Sequence, residues 1–167
     1  KGLGGPEHAL LHLIGLFDRP ADGPAVDALL AAPIPGLTDG LFFDQISMGQ
    51  HADGRPKPRV CVVRPEQRRA RVRDAKERLR KLRLLSAAAP DDPRGLDAHP
   101  IVRQFFAKRL AETAPDAARA AHDILYCHYC AVPEQHRPDT LEEMQPLFDA
   151  VQHGVQAGRA QDAYNDV

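Results

Sequence analysis

The chain has 167 residues, of which 43% are hydrophobic and 5% aromatic, and it contains no tryptophan. This length suffices for one ordinary domain or two small ones, and abundant Ala and Leu with few aromatic residues favour helices over strands. The net charge of −1 argues against a dedicated nucleic-acid binder, which carries a global basic excess. No signal peptide and no run of eighteen apolar residues occur, and the cysteine count is odd. We therefore expect a cytoplasmic protein that does not enter a membrane.

Two short helices are predicted near the amino-terminal end. Apolar residues recur at helical spacing over residues 6 to 17, and Asp18-Arg19-Pro20 closes this run. A second helix is predicted over residues 23 to 32, because Pro33 and Pro35 cannot continue it. Since the chain begins Lys1-Gly2-Leu3 without an initiator Met, we expect it to be a piece of a longer protein.

Glycine and proline interrupt the next segment, residues 33 to 64, so few regular elements are predicted there. Leu41-Phe42-Phe43 fits one helical turn, and Val60-Cys61-Val62-Val63 fits one buried strand. Between them, residues 50 to 57 are predicted to form an exposed loop. A loop of this length is typical of an insertion, a mobile segment or a functional segment.

A strongly basic helix is predicted over residues 65 to 85. Its apolar face comprises Val72, Ala75, Leu79, Leu82 and either Leu85 or Ser86. The remaining faces carry nine cations against three acids: Arg68, Arg69, Arg71, Arg73, Lys76, Arg78, Arg80, Lys81 and Arg83. After it, Pro90-Asp91-Asp92-Pro93 lies between two apolar flanks. This pattern predicts a β-hairpin wing, although a tight non-β loop has the same signature.

The segment from Leu96 to Phe106 joins the two halves of the chain. Pro100 suits the first position of a helix, so His99 is predicted to be its N-cap. The predicted buried stripe comprises Ile101, Val102, Phe105, Phe106 and Leu110. An imidazole is thereby expected at a helix N-terminus, where backbone N–H groups favour an anion.

Longer helices are predicted downstream. The first runs from residue 115 or 116 to Val132, with Ala117, Ala120, Ala121, Ile124, Leu125 and His128 on one side. The next spans residues 141 to 157, with Asp139 or Thr140 as its cap and Gly158 at its end. A further helix begins within residues 159 to 167. Helix pairs with small residues at crossing positions are typical of a helical repeat.

Three segments carry a resemblance to a known family. Residues 96 to 106, which read Leu-Asp-Ala-His-Pro-Ile-Val-Arg-Gln-Phe-Phe, resemble the end of the winged-helix domain in STAND ATPases, the signalling switches that include NB-ARC and NACHT proteins. Residues 15 to 23 resemble the connection between the first two helices of that domain in bacterial members. Residues 138 to 163 resemble the start of the tetratricopeptide-like array that follows it. The resemblance covers most of residues 6 to 32 and 78 to 167, but not the Gly/Pro-rich insert.

The resemblance implies an all-α, mainly helical chain: a winged-helix domain with a small wing over residues 6 to 110, then the first tetratricopeptide-like helices over 111 to 167. In many STAND proteins a Met-His-Asp triplet begins the same helix, and its His faces the phosphate of the bound nucleotide. Here the triplet reads Ala98-His99-Pro100, and only the His is retained. By this resemblance His99 would contact the phosphate of ADP or ATP in the parent protein.

The same resemblance implies a non-catalytic regulatory fragment. Its winged helix would stabilise the nucleotide-bound off state against the nucleotide-binding domain of the same protein, while its repeats sense a ligand or a protein partner. The chain contains no Gly-x-x-x-x-Gly-Lys-Ser/Thr sequence, so we expect neither ATPase activity nor a cofactor in this fragment.

An alternative function is a winged-helix transcriptional regulator. A basic third helix beside a wing is how such proteins enter the DNA major groove. The candidate contacts to DNA, or to an acidic protein surface, are Arg68, Arg69, Arg71, Arg73, Lys76, Arg80 and Arg83. Nine cations on one helix are equally consistent with a solvated face, and the near-neutral total charge weakens the DNA interpretation.

Metal and nucleophile motifs are weak. Cys127-His128-Tyr129-Cys130 has the spacing of half a zinc site, but only His122 and His136 lie near it in sequence, and no second ligand pair occurs. We predict instead that both thiols are buried as small hydrophobes. No strand precedes the motif, as a thioredoxin-type site requires, and no Gly-x-Ser-x-Gly elbow occurs. An enzyme and a metal site are therefore not predicted.

Overall fold

The computed structural model describes residues 3–43, 47–50, 56–59, 62–131 and 140–166. Its elements in chain order are helices α1 (Gly5–Ile14), α2 (Gly23–Leu29) and α3 (Asp39–Phe42), strands β1 (Ser47–Gln50) and β2 (Pro56–Arg59), and helices α4 (Pro65–Lys81), α5 (Pro100–Thr113), α6 (Pro115–Cys130), α7 (Gln145–Gln156) and α8 (Ala160–Asp166). The protein is mainly helical, as predicted.

Proline fixes where most of these helices begin. Helices α4, α5 and α6 start at Pro65, Pro100 and Pro115, where the missing N–H has no intrahelical partner to lose. Asp22 caps α2, because its Oδ1 accepts a 2.7 Å hydrogen bond from the Ala25 N–H. The predicted starts of these helices are therefore confirmed, whereas α1, α2 and α4 end three or four residues before the predicted ends.

Helix α1 is the centre of the core and packs against α3, α4 and α5. Leu10, Leu11 and Leu13 are fully buried in this helix, and Leu79 of α4 is equally buried opposite them. Burial of one such leucine contributes about 2 kcal/mol relative to an exposed side chain. Helix α1 thus packs against both α4 and α5, the helices before and after the segment that contains His99.

The strands do not lie where the sequence predicted them. β1 and β2 form an antiparallel hairpin that pairs Ser47 with Arg59 and Gln50 with Pro56, so the strands flank the predicted loop over 50–57 and overlap it only at its two ends. Val62 forms only an isolated bridge with Phe43 and is 71% exposed, so the predicted buried strand over 60–63 is wrong at this residue. Val60 and Cys61 lie outside the described residues.

Residues 84 to 97 contain turns and bends instead of the predicted β-hairpin wing. One backbone bond from the Ser86 N–H to the Asp97 carbonyl, 2.9 Å long, closes this loop. Asp92 organises its tip by accepting from the backbone N–H groups of Gly23 at 2.6 Å and Gly95 at 3.0 Å. The non-β loop, which the same sequence pattern allowed, is therefore the conformation found. Two 2.8 and 2.9 Å bonds link it to Ala21 in an isolated antiparallel bridge through Leu96.

The apolar residues predicted to be buried in α4 and α5 are only partly the ones that the structure buries. In α5, Phe106 and Leu110 are buried, but Ile101 is 69% and Phe105 57% exposed. Arg103 occupies the buried face instead, since its Nη1 donates 2.9 Å bonds to Asp97 Oδ1 and the Ala98 carbonyl. In the basic helix, Leu82 is 52% exposed because α4 has already ended. Tertiary contacts at the start of α5 thus override the hydrophobic pattern.

Helices α6, α7 and α8 pack on one another in sequence order. α7 begins at Gln145, four residues later than predicted, because residues 141 to 144 form a turn whose Thr140 hydroxyl accepts from the Glu143 N–H at 3.2 Å. Val132 and Asp139 lie outside the described residues. On α6 the buried face includes Tyr126 and Tyr129, whereas the predicted Ala120 is exposed.

Candidate functional site

His99 is the N-cap of α5, as the sequence predicted. Its backbone is extended, with φ −55° and ψ 139°, and its Nδ1 accepts a 3.3 Å hydrogen bond from the Ile101 N–H. An imidazole nitrogen that accepts a hydrogen bond carries no hydrogen, so in this geometry the ring hydrogen is on Nε2. The ring is exposed. The cap therefore supplies a hydrogen-bond donor to solvent at the positive end of a 14-residue helix.

The ring of His99 lines a groove of about 530 Å³ between the end of α4 and the start of α5. The cationic side chains in this groove are Arg80, Arg83 and Arg103, and Asp97 is its acidic one. Arg80 is anchored by a 3.3 Å bond from its Nε to the Ser86 carbonyl, and Arg103 pairs with Asp97. The groove thus retains an excess of positive charge beside His99, an arrangement that attracts anions. We call it the His99 groove.

Arg83 has an uncommon backbone conformation. It is the non-glycine residue with a positive φ, +57°, in the described part of the chain. It reverses the chain after α4, since the N–H of the next residue, Leu84, bonds back to the Leu79 carbonyl at 3.0 Å. Glycine is the usual residue at such a helix end, and a side chain there costs about 1 kcal/mol. The exposed Arg83 guanidinium has no hydrogen bond or ion pair with any described residue.

Arg103 holds the residues that immediately precede the His99 cap. It is 9% exposed, and its two bonds from Nη1 hold the segment that leads into His99. Its Nε is buried and has no partner among the described residues. A buried donor of this kind normally has a partner, which can be an ordered water or a ligand atom.

The other predicted cations of α4 are mostly engaged within the chain. Arg68 stacks on the Phe42 ring at 4.4 Å, and the Arg71 Nη1 donates to the Phe43 carbonyl at 3.1 Å. Lys76 Nζ donates to the Arg94 carbonyl at 2.7 Å, and Arg73 pairs with its neighbour Asp74. These side chains therefore have structural partners already, and their contact with DNA or an acidic surface remains a prediction.

A buried polar cluster that the sequence did not predict joins the first two helices to α6 and α7. It comprises Arg19, Asp22, His122, Tyr129, Asp149 and His153. Its ion pair is between the Arg19 guanidinium and the buried Asp149 carboxylate. The Tyr129 hydroxyl donates to Asp22 Oδ2 at 2.8 Å, so the residue that caps α2 is also held by α6.

Burial determines the protonation of this cluster. It lowers the pKa of His122 to about 4 and, with help from the neighbouring His122 and Arg19, the pKa of His153 to about 3. It raises the pKa of Asp149, which the Arg19 guanidinium only partly opposes. Both imidazoles are consequently neutral at pH 7, and the cluster is a structural junction held by the Arg19–Asp149 ion pair and by hydrogen bonds among its other members.

The cysteine motif does not form a metal site among the described residues. Cys127 and Cys130 are both exposed, which corrects the prediction that they are buried hydrophobes. Residue 127 lies on the outer face of α6, where its Sγ accepts a 3.6 Å bond from Arg159. In the described part of the chain, no three His, Cys, Asp or Glu side chains are grouped to hold a metal ion. Cys61 and His136 lie outside the described residues.

No protein-family model, no curated protein and no solved structure matches this chain. Within the described residues, no helix combines the length and the apolar character needed to cross a membrane.

Proposed function

We propose that this chain is the non-catalytic regulatory part of a STAND-type signalling ATPase. In this proposal, residues 6 to 110 act as a winged-helix clamp that stabilises the nucleotide-bound off state. Residues 111 to 167 begin a tetratricopeptide-like array that senses a ligand or a protein partner. The family assignment rests on the resemblance of residues 15 to 23, 96 to 106 and 138 to 163.

The order of the elements supports a winged-helix interpretation of residues 6 to 110. The stretch between α1 and α2 pairs through Ala21 with Leu96, which follows α4 and the closed loop. We compare this order with a winged helix whose wing has been reduced to a loop: α1, the strand-like stretch at Ala21, helices α2 and α4, and the return to that stretch at Leu96. The short helix α3 is additional to this pattern. The β1–β2 hairpin would then belong to an insert between its second and third helices.

The observation that carries the proposal is the His99 groove. A phosphate group is bound by N–H donors and arginine guanidinium groups, and both occur here. The start of α5 adds only its positive dipole, because Pro100 has no N–H and the N–H groups of Ile101, Val102 and Arg103 are already bonded. His99 contributes Nε2–H, and Arg80 and Arg83 contribute positive charge. These residues fit one side of a phosphate, but the chain has no P-loop to surround it. The remaining contacts would come from the nucleotide-binding domain of the same protein.

The mechanism that follows is conformational. A nucleotide that contacts His99 only in the closed arrangement shifts the equilibrium by the difference in its affinity for the two states. The buried junction between Asp22 and Tyr129 and between Arg19 and Asp149 would transmit movement of the helical array to the clamp. Loss of the His99 contact would favour the open, signalling state.

Two variants of His99 separate this role from its structural one. His99→Ala removes both the cap and the ring, whereas His99→Ser retains a capping oxygen but is too short to reach a phosphate. In the longer protein that carries the expected nucleotide-binding domain, both variants should release bound ADP at least tenfold faster than the natural protein. Only the Ala variant should lose stability, by about 1 kcal/mol. ADP release that is unchanged in His99→Ser would remove His99 from nucleotide binding.

The domain context gives a second test. The reading frame before Lys1 should encode a Gly-x-x-x-x-Gly-Lys-Ser/Thr loop followed by a Walker-type acidic strand. A frame that encodes neither would exclude a STAND protein and leave the His99 groove without the nucleotide proposed for it.

A further inference from the structure

A second groove, of about 490 Å³, runs between α2 and α4 and shares Arg80 with the His99 groove. Its floor is apolar: Leu30 and Val72 are half-buried, Ala31 is exposed, and Val26 is buried beneath them. Pro93 of the loop after α4 lines it as well. Leu30 and Val72 contact the core on one side and leave the other side uncovered. We call this the α2–α4 groove.

The rim of the α2–α4 groove is strongly basic. Six cations line it, against two acids: Arg68, Arg69, Arg73, Lys76, Arg80 and Arg94. Asp27 is paired with Arg94 at 2.7 Å, which leaves Glu77 as the remaining acid. Burial and the nearby Arg80 lower the pKa of Lys76, while Asp27 and Asp92 oppose this effect. Positive charge is therefore crowded along one wall of an apolar groove, and an anionic partner would relieve the repulsion.

We propose that the α2–α4 groove binds an acidic amphipathic helix from another protein or domain. An apolar helical stripe would cover Leu30 and Val72. Carboxylates beside it would reach the exposed Arg69, and would reach Arg73 in competition with its exposed partner Asp74. A DNA duplex fits these features less well, because it would leave the apolar floor uncovered and because Arg68 and Lys76 are already engaged within the chain. This inference does not depend on the proposed nucleotide switch.

The direct test uses a fluorescent synthetic helix of about 18 residues with leucines at helical spacing and glutamates on the flanking faces. Its binding to the chain is followed by fluorescence anisotropy. A peptide with glutamine in place of each glutamate and a labelled duplex DNA are measured in parallel. We expect saturable binding of the acidic peptide that weakens between about 50 and 300 mM salt, with at least tenfold weaker binding of the glutamine peptide.

Matched variants locate the site. Arg69→Glu combined with Arg73→Glu should weaken the acidic peptide at least tenfold, and so should Ala31→Glu, which places a carboxylate on the exposed floor. The control combines Lys81→Glu with Arg109→Glu, two exposed cations outside the groove, and has the same net charge as the first variant. It should bind within about twofold of the natural chain, since long-range charge effects are screened by salt. Thermal unfolding of each variant verifies that all three are folded.

Three results would overturn the inference: no saturable binding of the acidic peptide, equal weakening by the groove and control variants, or equal affinity for the glutamine peptide. Saturable DNA binding that the groove variants abolish, without peptide binding, would assign the surface to nucleic acid instead. Since none of these measurements involves a nucleotide, their failure is distinguishable from failure of the His99 proposal.

Discussion

Nδ1 of His122 on α6 lies 3.0 Å from Nδ1 of His153 on α7, so two imidazoles share one hydrogen bond inside the packed helices. One ring must donate and the other accept, which requires that they adopt different tautomers. The His153 ring is 2% exposed and stacks on Tyr129 at 5.7 Å, and Phe17 meets it edge-on at the same distance. The pair therefore connects α6 and α7 to the amino-terminal helices in a place where a positive charge is poorly solvated.

This pair makes the free energy of unfolding sensitive to acid. Unfolded histidine has a pKa near 6.5, whereas burial holds the folded pKa of His122 at about 4 and of His153 at about 3. Between pH 6.5 and 4 the unfolded chain therefore binds more protons than the folded one, and stability falls as the pH falls. We expect a loss on the order of 2 kcal/mol for each of the two histidines between pH 7 and pH 4.5, measured by urea unfolding.

The neighbouring charged groups define the control. The raised pKa of Asp149 acts in the opposite direction, since that carboxylate is protonated more readily when folded, and Asp22 and Arg19 also face the pair. Replacement of His153 by Phe should flatten the pH dependence. Replacement of the exposed His8 by Gln should change it less, through the neighbouring His12 alone, whose pKa His8 helps to lower. A stability that is constant from pH 7 to pH 4.5 in the natural chain would contradict the buried neutral pair.

The bond between Asp22 and Tyr129 predicts an energetic coupling over 107 residues of chain. Burial and this bond raise the pKa of the Tyr129 hydroxyl, which stays a donor. Tyr129→Phe should cost about 1 kcal/mol, and Asp22→Ala more, about 2 to 3 kcal/mol, because it also removes the cap of α2. In the Asp22→Ala background, Tyr129→Phe should cost almost nothing.

A double-mutant cycle in urea measures this coupling. Tyr164→Phe is the control, since that ring is 83% exposed and its hydroxyl should contribute within about 0.5 kcal/mol of zero. Additive effects of Asp22→Ala and Tyr129→Phe would mean that α6 is not attached to the α2 cap in solution.

Replacement of two glycines by alanine should destabilise the chain for different reasons, a steric clash at Gly15 and an unfavourable backbone conformation at Gly158. A Cβ at Gly15 would lie 2.5 Å from the Ala107 N and 2.8 Å from the Phe106 C, both backbone atoms of α5. Gly15→Ala must therefore push α1 away from α5, at a cost of about 3 kcal/mol in unfolding free energy. At Gly158 nothing lies within 4 Å, but φ is +81°, so Ala should cost only about 1 kcal/mol. Equal costs for the two variants in urea would contradict the close approach of α1 and α5.

Features of this structure that depend on one residue or its immediate neighbours could be predicted from the sequence, whereas features that depend on tertiary contacts could not. Pro65, Pro100 and Pro115 fix helix starts by themselves, so these starts and the His99 cap were predictable. The end of α4 could not be predicted, because Leu82 and Leu85 continue the apolar spacing of a helix although the helix ends at Lys81 and the chain reverses at Arg83. The prediction of which face of α5 is buried was also wrong, because Arg103 is buried by its bonds to Asp97 and the Ala98 carbonyl.

The buried junction needed information that sequence spacing does not contain. His122 and His153 are single polar residues on amphipathic helices, 31 residues apart, and each alone resembles a surface residue. Only the packing of α6 on α7 brings them together. The sequence feature that could have indicated this crossing is the small residue Gly154. A Cβ at this position would lie 2.7 Å from the Cβ of Ala163 and 2.9 Å from the Tyr126 ring, so only glycine fits.

Arg83 links the stability of the chain to the proposed phosphate site. Its φ of +57° is relaxed by glycine but not by alanine, so Arg83→Gly should raise the unfolding free energy by about 1 kcal/mol while Arg83→Ala should not. Both variants remove the guanidinium from the His99 groove. Inorganic pyrophosphate, titrated against each and followed through the His99 ring signals by NMR, should therefore bind both more weakly than the natural chain. If Arg83→Gly gains stability and pyrophosphate binding is unchanged, Arg83 does not contribute to anion binding. His99 and Arg80 would then be the anion-binding residues of the His99 groove. Weaker binding in both variants, with stability gained only by glycine, is the result expected if this strained backbone is retained for the charge it presents.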